Sequence, residues 1–140
     1  MSYWFVNPNG SIVVFGPGAH LRIWRNWAGV AHDVLAAYLF RCFHSPGPGQ
    51  CFREDDLASL LAGAFIVEVV SHSLTVEEIN ARIRRARGIQ GLPWDFLSSN
   101  CQDTMSWIVT GKGGSFQRDA LIGFGLALGV PWAIREPAKR

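Results

Sequence analysis

The chain has 140 residues, enough for one domain with a full hydrophobic core. About half of it is apolar (49%), and the net charge is only +2 with no long basic block, which speaks against a nucleic-acid binder. There are three cysteines, Cys42, Cys51 and Cys101, and none lies in a C-x-x-C pair, which speaks against a disulfide framework and against a structural zinc site.

The N-terminus, Met1 to Pro8, has neither a basic region nor a long apolar stretch. A chain without a signal peptide and with a cytoplasmic location is therefore expected, with export by a signal-less route left open. Ser11 to Phe15 is a β-branched and aromatic run closed by Gly16-Pro17-Gly18, which predicts a strand and a turn. His20 to Trp24 alternates as a strand does. Arg25 to Gly29 carries turn residues and Val30 onward resumes a strand, so the pair reads as a hairpin. Phe43 to Gln50, rich in Pro and Gly, reads as a loop, Glu54 to Leu61 as a short helix, and Phe65 to Val70 as a strand.

Thr75 and Glu78 form a capping-box pattern, Val76, Ile79 and Ile83 supply the apolar face of the helix that follows, and Gly88 ends it. Arg82, Arg84, Arg85 and Arg87 on that helix read as a solvated face. Trp94 to Leu97 precedes Ser98-Ser99-Asn100. A further helix begins there, capped by Asn100, and runs to Gly111. Together these elements predict an α+β domain, a small antiparallel sheet packed with helices, spanning 1–140.

The chemistry centres on Cys101. At the first turn of a helix its thiol faces outward-pointing backbone N–H groups and the positive end of the helix dipole, which favour the thiolate and can also hold an oxyanion. His20 and His32 are twelve residues apart, with Asn26 at the midpoint. A hairpin centred on Asn26 would set them opposite each other, with Cβ atoms roughly 5 Å apart. One would then act as general base and the other as its orienter. His44 and His72 fit no such geometry and are expected at the surface. Cys42 and Cys51 are taken as structural or incidental.

The segment His20-Leu21-Arg22-Ile23-Trp24, followed by Val30-Ala31-His32, resembles the H-box of the lecithin–retinol acyltransferase-like proteins. Ser99-Asn100-Cys101-Gln102-Asp103 resembles their NC box. The segments from Arg53 to Val70 and from Leu74 to Gly88, and Thr110-Gly111-Lys112 with Ser115-Phe116-Gln117, follow the family's order, so the resemblance covers roughly residues 12–130. Two departures stand out: Gln102-Asp103-Thr104 replaces the usual Glu-His-Phe, and the residues around Arg25-Asn26-Trp27 replace the usual Gly-Asp-Gly turn.

The resemblance implies the circularly permuted NlpC-type papain-like fold, with Cys101 as nucleophile, His20 as base and His32 as second histidine. It implies a cysteine-dependent acyltransferase or hydrolase, phospholipase A- or thioesterase-like, that acts on a lipid or acyl-ester substrate through a thioester. No cofactor and no metal are implied. An NlpC-type amidase or peptidase, or a non-catalytic host-interaction module that keeps the boxes, are the competing expectations.

The uncharged run Ala120 to Ile134 is fifteen residues long, too short for the roughly 20 that span a bilayer. Packing on the domain is expected for it, with peripheral membrane contact through 120–134 as the other outcome.

Overall fold

In a computed structural model of the chain, the described residues are 2–25, 31–70, 74–93 and 101–112. The expected hairpin tip at 26–30, His72, the segment holding Trp94 and the expected cap residue Asn100, and the apolar run 120–134 lie outside them.

Among the described residues there are two sheets and three α-helices. Strands β1 (Tyr3–Val6) and β2 (Ile12–Phe15) form a two-stranded antiparallel ribbon. Strands β3 (His20–Arg25), β4 (Ala31–Ala36), β5 (Arg41–His44), β6 (Arg53–Asp56) and β7 (Ala64–Val69) form an antiparallel sheet in the order β6-β5-β4-β3-β7. The helices are α1 (Leu57–Leu61), α2 (Val76–Gly88) and α3 (Cys101–Thr110). The α+β class with a small antiparallel sheet is as expected. No described helix is long and apolar enough to cross a membrane.

The sheet is buried on both faces, and this organises the molecule. One face carries Leu35 and Phe43, which pack against Ile83, Ala86 and Ile89 of the α2 region and Trp107 and Ile108 of α3. The other face carries Leu21, Ile23, Val34, Ala36 and Cys42. These pack against Leu57, Leu60 and Leu61 of α1 and against the inward side of the β1–β2 ribbon.

Three local devices fix this arrangement. Asn7, buried at the end of β1, donates from Nδ2 to the Ile66 carbonyl at 3.1 Å and accepts from the Ile66 N–H at 2.8 Å. It thereby covers part of the open edge of β7, which would otherwise expose unpaired backbone groups. Thr75 and Glu78 make the reciprocal capping box at the start of α2, as the sequence predicts. Gly18, at φ +84, brings the β2–β3 turn so close to α2 that a Cβ would lie 3.1 Å from Leu74 and 3.2 Å from Ile79. Its carbonyl accepts a 2.9 Å hydrogen bond from Arg82 Nη1. This clamp lies two residues before His20.

Three sequence expectations change. Residues 53–56 form a strand where the helix was expected to begin at Glu54. Their backbone pairs with β5, and Arg41 holds Glu54 at 3.1 Å. Asp56 then caps α1 by accepting from the Ser59 N–H, so the helix starts only at Leu57. Phe43 and His44 likewise belong to β5 and not to the loop. The basic run on α2 is not a solvated face throughout. Arg82 is buried, and Arg85 donates to the carbonyls of Ile108 and Val109, satisfying orphan groups at the end of α3.

Candidate functional site

The β3–β4 hairpin forms as expected, but its register is different. His20 pairs with Leu35, Arg22 with Asp33, and Ile23 with His32. A hairpin centred on Asn26 would pair even-numbered residues with even-numbered ones. The observed pairing is centred between residues 27 and 28 and pairs even with odd. Side chains alternate across a strand, so this odd shift puts His20 and His32 on opposite faces of the sheet. The expected cross-strand contact between them does not occur.

His20 shares its face with Leu35 and with the helices α2 and α3. It is buried, and its Nε2 lies 2.9 Å from Oδ1 of Asp33, diagonally across the hairpin. Arg22 sits 3.5 Å from the same oxygen and 3.3 Å from Glu68, so it braces the carboxylate from the solvent side. The hydrogen bond from His20 holds Asp33 below the ordinary carboxylate range, against the opposing cost of burial and with help from the charges of His20 and Arg22. An ionised Asp33 is an acceptor only. The hydrogen therefore sits on Nε2 of His20, and in the neutral ring the free lone pair is at Nδ1.

Cys101 is the first residue of α3. On this helix Thr104 and Ile108 are buried, and Ile108 joins the same core cluster as Leu35. The structure thus brings the Cys101 helix and His20 to one side of the sheet.

His32 lies on the other side, in company not foreseen. Its Nε2 is 3.0 Å from Nδ1 of His44, whose Nε2 is 2.7 Å from Oδ2 of Asp55. Arg53 donates to the same Asp55 oxygen at 2.8 Å. Burial pushes the Asp55 carboxyl up, but the hydrogen bonds from Arg53 and His44 more than offset it and leave it below its usual range. His44 is only 4% exposed, which corrects the expectation of a surface residue. β5 carries it inward on the face shared with Val34 and Cys42, and Asp55 satisfies the ring. The signal for this pairing is non-local: His44 and Asp55 meet only once β5 and β6 are recognised as partners. Asp33 was missed for a related reason, since its closeness to His20 depends wholly on the register.

Of the other cysteines, Cys42 is fully buried. Desolvation first, and then the nearby Asp55 charge, push its thiol up to about 12. Cys51 is exposed. Among the described residues no group of three His, Cys, Asp or Glu side chains could hold a metal ion. Compared with protein-family models, curated proteins and solved structures, the chain matches none.

Proposed function

We propose that the protein is a cysteine-dependent acyl hydrolase or acyltransferase in which Cys101 is the nucleophile, His20 the general base and Asp33 the orienter of His20. The observation that carries this reading is the 2.9 Å contact between His20 Nε2 and Asp33 on the sheet face that α3, headed by Cys101, packs against. It supports a nucleophile–base–orienter set with Asp33 in the place first assigned to His32. Chain order supports the circularly permuted NlpC-type papain-like arrangement of the lecithin–retinol acyltransferase-like proteins, because the histidine strand β3 precedes the cysteine helix α3.

In this mechanism Nδ1 of His20 takes the Cys101 proton and the thiolate attacks the carbonyl carbon of an acyl ester. The oxyanion is held by N–H groups of the first turn of α3. Collapse expels the alkoxide, which receives the proton from His20, and leaves a thioester on Cys101. Water or an acceptor hydroxyl, deprotonated by His20, then releases the acyl group. A lipid ester is the substrate class proposed, in keeping with the apolar run 120–134.

Iodoacetamide labelling as a function of pH tests the thiolate directly. At pH 6.5 Cys101 is expected to react at least tenfold faster than exposed Cys51, because a helix N-terminus and a neighbouring imidazole favour the thiolate. Cys42 is expected to stay unlabelled until the protein unfolds. Equal rates at Cys101 and Cys51 would remove the nucleophile from the proposal.

A further inference from the structure

The β1–β2 ribbon is apolar on both sides. Tyr3, Phe5, Val13 and Phe15 turn onto the core. The outward side carries Trp4 opposite Val14 and Val6 opposite Ile12. These four residues are 68%, 48%, 61% and 61% exposed, respectively. A ribbon with one wet side normally alternates apolar inward and polar outward, and this one does not. Cross-strand neighbours lie about 5 Å apart, so the four side chains form one continuous patch. Its area is on the order of 400 Å², as large as the largest apolar patches of ordinary monomers, which are often functional. No Asp, Glu, Lys or Arg occurs from Ser2 to Leu21.

We propose that this outer face of the ribbon seats the protein on a lipid surface. The area argues against a second copy as the occupant, because each partner in a standard protein interface gives about 800 Å², twice what the patch offers. Interfacial binding has no such threshold and scales with the apolar area buried. It does require that no charge enter hydrocarbon, and the uncharged stretch meets that requirement. Trp4 is the side-chain type that favours headgroup depth. A ribbon lying flat inserts side chains only and leaves its edge N–H and C=O groups at the hydrated level. Phe15, which ends β2, is five residues from His20, so the chain keeps the two within about 18 Å. The ribbon covers the sheet face opposite the one that carries His20, so docking through it brings the whole domain, and not the His20 face itself, onto a surface that contains acyl esters. This inference rests on the lipid-ester reading of the site.

Flotation of the full chain with phosphatidylcholine vesicles, beside the double variant Trp4→Ser/Val14→Thr, decides the matter. The full chain is expected to float with neutral vesicles at both low and high salt, and the variant's bound fraction is expected to fall at least tenfold. The variant's hydrolysis of a water-soluble short-chain ester is expected to be unchanged, and protection of Cys42 from labelling confirms its fold. If the double variant loses that protection, Ile12→Thr alone is compared in its place. The proposal is overturned if the full chain does not float, or if the variant floats as well as the parent, which would move the contact to 120–134. A dimer seen by sedimentation that the variant abolishes would overturn it too. The soluble-ester assay needs no membrane, so failure there strikes the enzyme reading and leaves the flotation result to be judged alone.

Discussion

Replacing Cys101 by Ala, or His20 by Ala, is expected to lower kcat on an acyl ester by about 10⁴-fold or more while the fold survives. In the proposed site the nucleophile and its base act as a unit, so the double variant is expected to be no worse than either single one. Asp33→Asn keeps the shape of the side chain but loses the charge that stabilises the protonated ring. Its loss is expected to be roughly one to two orders of magnitude smaller than that of His20→Ala, as is usual for an orienter. His32→Gln is expected to change kcat only a few-fold, because His32 lies on the opposite sheet face and bonds to His44. The pair of histidine variants separates the two assignments: a folded His32→Gln variant as inactive as His20→Ala would restore the two-histidine site and remove Asp33 from it.

The second large effect is on stability. Phe43 is 1% exposed and packs with Leu35, the strand partner of His20, and with Ile83 and Trp107. Its ring stacks with Phe52 at a centroid distance of 6.4 Å, and the Arg87 guanidinium lies 5.9 Å above it. Phe43→Ala would remove the transfer energy of the ring and leave a cavity between sheet and helices, at a cost of about 3–5 kcal/mol. Against a total of roughly 5–15 kcal/mol for an ordinary domain, that consumes a large part of the stability. Urea unfolding is expected to show the midpoint falling with an unchanged slope. Leu39→Asn serves as the control. Leu39 is 83% exposed at φ 59, a conformation Asn tolerates, so a change within about 0.5 kcal/mol is expected. A comparable loss at both positions would contradict the core assignment.

What could be read in the sequence divides along physical lines. Local signals were legible. The capping box at Thr75 and Glu78 depends on residues three apart and forms as expected. So do the strands ended by Gly16-Pro17-Gly18 and by the hairpin. The register was not legible, because β4 offers no alternation to fix it: Val34, Leu35 and Ala36 are all buried, on alternate sides. With both faces apolar, a shift of three in the pairing costs the pattern nothing, yet it exchanges Asp33 for His32 beside His20. Strand β6 was hidden by its composition. Arg53-Glu54-Asp55-Asp56 reads as the acidic start of a helix, and only its pairing with β5 makes it a strand. The chain of His32, His44 and Asp55 was hidden with it. The helix expected to start beside Asn100 was legible from that capping residue type, and α3 begins at Cys101.

The central claim is that Cys101 carries an acyl group during turnover. Intact-mass and peptide mass spectrometry after brief incubation with an acyl ester, quenched in acid, tests it most directly. The account predicts a mass increase equal to the acyl group, confined to the peptide containing Cys101, released by hydroxylamine and absent from Cys101→Ala. Turnover with no adduct on Cys101, or an adduct that persists in Cys101→Ala, would contradict it.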